Sequence, residues 1–315
     1  LFTLKHLTYF IAAADAGGIT GAARQLHISQ PSISAAIAEL ERRLGLQLFL
    51  RHHAQGLSLT TAGRRLLGQA RQLIAHADEL RLAALDLGGG LAGQLDLGCF
   101  ITFAPWIVPG LLRGFSRQFP DAQVRLHESH VQGVLADLRR GESEVALTYD
   151  LDLGPDILFE PLGEVPLHAI LPAGHRLARS GAVRLADLAQ EPLVLLGLPQ
   201  SREYFLSIFY ALRLEPRIAY ETGSFEMVRG LVANGLGYSI MHSRPPSERS
   251  LDNRRLVYRP VADKVRPTEL GLARLAQLRP TRLSAGFAQF CRAHFAGANR
   301  VDLAIETTTT TPIPQ

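Results

Sequence analysis

Residues 18–63 read GITGAARQLHISQPSISAAIAELERRLGLQLFLRHHAQGLSLTTAG, and the spacing inside this stretch decides the class of the chain. Just upstream, Leu7, Phe10, Ile11 and Ala14 recur at three and four residues, which gives a first helix one apolar face, and Gly17 with Gly18 stops it. Thr20 stands where an N-cap belongs, and Ala22, Ala23 and Leu26 form the inward face of a short second helix. His27 and Ile28 make a tight turn. Ser29 caps a third helix, with Gln30 and Pro31 in its first turn, where the missing proline amide costs little. Ile33, Ile37, Leu40 and Leu44 are its expected buried stripe. The opposite face carries Gln30, Ser32, Ser34, Ala35 and Ala38. Small and hydrogen-bonding side chains of this kind let a helix lie deep in a DNA major groove and face base edges. A basic hairpin with Arg51, His52 and His53 follows.

The order of residues resembles the LysR-type transcriptional regulators over a long span. The pattern is carried by Phe10, Ala13, Gly17, Thr20, Ala22, Ala23, Leu26, Ser29, Gln30, Pro31, Ser34, Leu40, Glu41, Leu44, Gly45, Leu48, Phe49, Arg51, Leu59, Thr60, Ala62 and Gly63. Gly18 departs from the family's common serine, and Ala35 stands where a basic or polar residue is frequent. Both bear on base contacts rather than on fold. The resemblance implies that Gln30, Pro31, Ser32 and Ser34, with Thr20 ahead of them, face DNA from the recognition helix, while Arg51, His52 and His53 work from a wing. The alternatives are a plain helix cap and a solvated basic turn, and capping is compatible with DNA contact.

Charge points to the same end of the chain. Residues 1–88 hold nine Lys plus Arg against six Asp plus Glu, and the rest hold 24 against 23, so most of the net +4 lies in the head. Such an excess suits a few phosphate contacts and binding that weakens as salt rises. From Thr60 onward, Leu66, Leu73, Leu80 and Leu87 recur every seven residues with Ala70, Ala77 and Ala84 between them. This seam predicts a helix packed on a second copy; packing on the chain's own second domain is the alternative. Arg64, Arg65, Arg71 and Arg81 lie off it. By the resemblance, the linker helix pairs two subunits and sets the spacing of operator half-sites.

Gly88, Gly89, Gly90 and Gly93 read as a hinge. They also spell G-x-G-x-x-G, but they follow a helix and enter a strand, the reverse of the order a dinucleotide site needs. Beyond them the pattern alternates between strand and helix in a parallel α/β layout: strands at 95–100, 124–128 and 145–149 with helices at 105–119 and 131–140. A second α/β unit follows, with strands at 167–171, 193–196, 218–221 and 238–241 and helices at 204–212 and 225–234. Here the resemblance continues through Gly93, Leu95, Gly98, Pro109, Leu112, Phe115, Phe119, Pro120, Gly141, Val145, Pro166, Pro172, His175, Leu231, Val232, Gly235 and Gly237.

The resemblance implies an α/β chain with an N-terminal all-α winged helix-turn-helix head at 1–59, a linker helix at 60–88 and a regulatory domain at 89–300. That domain would look like a periplasmic binding protein, with one subdomain from about 91–164 plus 267–300, a second from about 165–266, and a small-molecule effector in the cleft between them. Carboxyl ends of parallel strands are where such folds bind ligands, which singles out Thr102, Phe103, Ser129, His130, Gln200, Ser201, Arg202, Ser224 and Phe225. Free amides at a helix N-terminus favour an anion, so a carboxylate is the expected effector class and Arg202 its expected partner. Ordinary capping or surface exposure is the alternative for each.

At 315 residues and 47% hydrophobic content, the chain can bury cores for two or three units. No apolar run reaches membrane length, and Lys5, His6 and Asp15 interrupt any signal-like start, which suits a cytoplasmic protein. Because the sequence begins at Leu1, an initiator methionine is expected ahead of it. Cys99 and Cys291 are its only cysteines, which argues against a disulfide scaffold, a redox switch or a zinc site. Residues 301–315, rich in threonine and proline, read as a disordered tail. No nucleophile elbow, phosphate loop or H-E-x-x-H is present, so no catalytic residue, metal or cofactor is expected. The expected partners are double-stranded operator DNA, the effector, further copies in a homodimer or homotetramer, and RNA polymerase. An α/β enzyme with a helical head and an effector-free architectural DNA binder are the competing classes.

Overall fold

The computed structural model describes residues 2–52, 56–85 and 91–296. His53, Leu87, the glycines at 88–90 and the tail at 301–315 lie outside the described residues. In the head, α1 (Leu4–Asp15), α2 (Ile19–Leu26) and α3 (Gln30–Leu44) enclose Leu7, Phe10, Ala22, Ile33 and Leu40, all essentially without solvent contact. Each of the leucine, isoleucine and phenylalanine side chains among them contributes about 1.5–3 kcal/mol by leaving water. His27 ends α2 in the left-handed region at φ 56°, and the chain reverses in one step into the Ser29 cap, whose oxygen accepts from the Ser32 amide. The cap of α2 differs from the sequence expectation: Gly18 holds that position, and Thr20 lies inside the helix.

The hairpin of β1 (Phe49–His52) and β2 (Gly56–Leu59) closes the head, with Phe49 edge-on to Phe10 at 5.4 Å. The Glu41 carboxylate accepts from the amides of Leu48 and Phe49 at 2.7 and 3.1 Å, which fixes the hairpin to the end of α3. Helix α4 (Thr61–Leu85) starts under a Thr60 cap, its hydroxyl accepting from the Gly63 amide at 2.9 Å. Any side chain at Gly63 would meet the Leu48 carbonyl, its Cβ lying 2.2 Å from that oxygen.

A five-stranded sheet follows in the order β4 (Ala122–Ser129), β3 (Gly93–Phe100), β5 (Val145–Tyr149), β12 (Thr268–Leu275), β6 (Ile157–Val165). Strand β3 runs parallel to β4 and β5, whereas β12 is antiparallel to both β5 and β6, so the layout is mixed rather than wholly parallel. Helices α5 (Ala104–Gln118), α6 (Val131–Arg140) and α9 (Arg282–Phe295) share its core with Leu97, Phe115, Leu135 and Phe287.

A second set of strands is built from residues 168–260. Strand β7 (His168–Pro172) lies between β10 (Ser239–Met241) and β11 (Leu256–Pro260), antiparallel to both. Beside β10, a parallel bridge between Leu193 and Tyr238 adds β8 (Pro192–Leu196) and its partner β9 (Arg217–Thr222). Helices α7 (Ser201–Ala211) and α8 (Phe225–Ala233) cover this lobe over Val194, Phe209, Val228 and Tyr258. The chain crosses between lobes after β6 and returns before β12, so the lobes face each other across a cleft. Trp106 and Leu198 pack against both cores.

The head docks onto the first lobe through α4. Arg71 donates to the Arg140 carbonyl at 2.8 Å and pairs with Asp15 and Glu142, while Gly68 and Gly141 let α4 and the end of α6 approach closely.

Candidate functional site

Two surfaces carry the chemistry. On the head, Gln30, Pro31 and Ser32 are exposed at the start of α3, and Ser34 is half-buried one turn later. Thr20 donates its hydroxyl to the Gln30 side-chain oxygen at 3.1 Å, which orients that amide outward from the helix start. The Ser32 hydroxyl bonds Ser29 at 2.7 Å, so Ser32 is part of the cap as well as of the outer face. Unpaired amides of the first turn add donors suited to a phosphate. Arg51 and His52 belong to β1. The buried stripe of Ile33, Ile37 and Leu40 holds this face away from the core.

The second surface is the cleft. Thr102, which follows β3, and Ser201, which opens α7, line its inner part with Tyr149, Tyr204, His242 and Ser243. Ser243 bonds the Thr102 hydroxyl at 3.2 Å and the Tyr149 hydroxyl at 3.0 Å, which ties the lobes together. His242 is buried. Its Nδ1 faces the Val165 carbonyl at 3.0 Å, so that nitrogen donates, and in the neutral ring Nε2 accepts from the Tyr204 hydroxyl at 2.8 Å. Thr268 completes the chain at 2.7 Å from the Tyr204 oxygen. Burial holds the His242 pKa down to about 4 and pushes the Tyr149 phenol above its ordinary value. The inner space is only about 10 Å³, and past Leu151 and Tyr204 it gives way to a mouth of about 520 Å³ that includes Gln200.

Several expected cleft residues are placed elsewhere. Phe103 is fully buried, its ring taken up by the aromatic core of the first lobe against Phe100 and Tyr149, and it does not border the cleft. Arg202 turns to Glu221, with its Nε 3.1 Å from a carboxylate oxygen; one step along α7 rotates it about 100° from Ser201. His130 caps α6 by accepting from the Gly133 amide at 3.2 Å, and neither it nor Ser129 lines the cleft. Ser224 caps α8, and Phe225 packs on Trp106 at 5.2 Å, bridging the lobes without bordering the open space. The expectation missed Tyr149, His242 and Ser243, although the strand-end rule covers them: Tyr149 ends β5, and the other two directly follow β10. Tyr204 lies one turn beyond Ser201.

Comparison with known proteins decides the class. Residues 4–64 match the model for bacterial regulatory helix-turn-helix proteins of the lysR family, and residues 88–296 match the LysR substrate binding domain. The chain belongs to the LysR family of transcriptional regulators. Among LysR relatives, HinK of Pseudomonas aeruginosa has a crystal structure with 39% identity, 94% of this chain and 99% of that one covered, and a TM-score of 0.63. The uncharacterized HTH-type regulator YnfL of Escherichia coli K12 is 32% identical, over 85% of this chain and 91% of its own. CbnR, solved with its target DNA, is 25% identical with a TM-score of 0.55, covering 93% of this chain and all of that one. This LysR-type chain is thus a DNA-binding, effector-responsive regulator.

Among the described residues, no group of three His, Cys, Asp or Glu side chains could hold a metal, and no helix is long and apolar enough to cross a membrane. Cys99 and Cys291 are buried; burial pushes the Cys99 thiol up to about 12 and the Cys291 thiol higher still, which disfavours the reactive thiolate.

Proposed function

We propose that this regulator reads its operator through the outer face of α3, with Gln30 and Ser34 at base edges and Thr20, Pro31, Ser32, Arg51, His52 and His53 positioning the backbone. A small molecule in the cleft sets its activity. The observation that carries the DNA reading is the start of α3, where a side-chain amide anchored by Thr20 projects from an otherwise small, exposed face. For the cleft, support comes from hydroxyl and imidazole groups of both lobes meeting around one small space.

Pairing of subunits through α4 belongs to the same proposal. Leu67, Ala70 and Ile74 pack on the head of their own chain, and Ala70 is only 2% exposed, which removes it from the expected seam. The physical reason is that α4 uses this face as the fourth wall of the head. Leu73 and Leu80 lie on another face at 44% and 73% exposure, with Ala77 between them. Apolar side chains at this spacing on a long helix suit a second copy of the helix. Leu66 packs on the head as well and leaves the expected seam with Ala70; Ala84 and Leu87 extend the proposed seam, two dimers form the tetramer, and the complex meets RNA polymerase in the cytoplasm.

The test is protection of the chain's own promoter region against nuclease in the presence of excess random duplex. A discrete protected site, whose extent changes when a cleft ligand is added, supports the reading. Uniform coating of promoter and random DNA alike removes it.

A further inference from the structure

We infer that the mouth of the cleft selects a small organic cation, an amine or a protonated nitrogen base, in place of the carboxylate suggested by the sequence. This rests on the effector reading above and assigns the charge of the ligand. Three carboxylates border the mouth, Asp150, Asp152 and Glu203, against one guanidinium, Arg266. That guanidinium is already committed. It bonds Asp150 at 2.9 Å, and Asp150 also accepts from the Glu269 amide at 2.9 Å, so their charges largely cancel. Asp152 and Glu203 carry the excess. The cation nearest Glu203 is Arg202 at 3.6 Å, which is engaged by Glu221.

The direction of hydrogen bonding gives a second and independent indication. Gln200 donates its side-chain nitrogen to Asp152 at 3.3 Å, which fixes the amide orientation and leaves the oxygen on the other side. That oxygen is buried without a hydrogen-bond partner among the described residues. The backbone holds the residue there in a strained three-residue turn: Gln200 has φ 64° and ψ −40°, closed by a 2.8 Å bond from the Ser201 amide to the Pro199 carbonyl. Among the groups that line the mouth, the Asp152 and Glu203 carboxylates and the Gln200 oxygen are thus acceptors with capacity to spare, while the charge of Arg266 is taken up by Asp150. A carboxylate would add acceptors and like charge, whereas an ammonium supplies donors and the opposite charge. The Tyr204 ring between mouth and inner cleft offers a face on which such a cation can rest.

The experiment is a thermal-shift titration of the full chain with charge-matched pairs: 1,5-diaminopentane against glutarate, and benzylamine against benzoate. Amines raise the melting temperature and their acidic counterparts do not. A double variant, Asp152→Asn with Glu203→Gln, weakens amine binding by about fivefold, the scale of one half-exposed ion pair, and leaves the unliganded melting temperature unchanged or higher. Stabilisation by the acids instead of the amines overturns the assignment of charge. Where that stabilisation also disappears in Ser243→Leu, the cleft is still the effector site. Amine affinity unaltered in the double variant overturns the assignment as well. Stabilisation by neither class overturns it and counts against the effector reading itself.

Discussion

Lowering the pH from about 7.5 to about 5 acts on the cleft through His242, whose ring joins the Tyr204 and Thr268 hydroxyls to the Val165 carbonyl. The side chain is 4% exposed, and burial holds its pKa at about 4 against an ordinary 6.5. An unfolded chain therefore takes up this proton near 6.5, while the folded chain resists until about 4. The stabilisation is complete above the unfolded value. It falls by about 1.4 kcal/mol per pH unit through the window between the two values and levels off below the folded one. At about pH 5 the loss is about 2 kcal/mol. Trp106 is the chain's single tryptophan and packs on Phe225 across the cleft, so its fluorescence in urea titrations reports on separation of the lobes. Groups remote from His242 titrate alike in wild type and in His242→Gln, so the difference between the two reports on this residue and its charge interaction with His168. That difference shifts by about 2 kcal/mol between the two pH values, with the wild type losing more. A difference that stays constant, or a wild type that gains stability in acid relative to the variant, shows that burial of a neutral imidazole is the wrong physics.

Introducing charge at the exposed face of α4, as Leu73→Glu with Leu80→Glu, breaks subunit pairing by about 3–6 kcal/mol, the scale of two buried leucines. Sedimentation then shows monomers and operator affinity drops; a dimer of full affinity removes the seam. Gly68→Ala tests the docking of head and first lobe. In an ordinary helix interior this change adds about 0.5–1 kcal/mol, but here the new Cβ lies 2.9 Å from the Arg139 carbonyl, so the melting temperature falls. A stabilised variant means that α4 and α6 do not touch as described.

Legibility in the sequence followed local periodicity. The three head helices and α6 are plain because their apolar residues recur at helical spacing, as in Ile33, Ile37 and Leu40, and β5 because it is a short, nearly unbroken apolar run. Strand β6 escaped, since Pro161, Glu160 and Glu164 on this sheet edge break the alternation expected of a strand. Strand β12 is paired on both sides and mostly buried, so its pattern does not alternate, and its antiparallel direction follows only from the chain's return from the second lobe. Helix α9 carries the same kind of signal in the spacing of Leu283, Phe287 and Cys291. At the cleft, position along a strand end located Thr102 and Ser201. It could not say which way Phe103 and Arg202 point, because side-chain direction changes with each residue. The acidic character of the mouth comes from Asp152 and Glu203, which are distant in sequence and meet only across the lobes.

Competition between the chain's promoter fragment and scrambled duplex, for wild type and for Gln30→Ala with Ser34→Ala, reaches the reading of DNA by α3 most directly. Wild type prefers its operator by about a thousandfold or more, and the double variant loses about 1–3 kcal/mol of that preference per base contact while its binding to scrambled DNA hardly changes. An unchanged preference in the double variant, or equal loss on both duplexes, means that another surface recognises the operator.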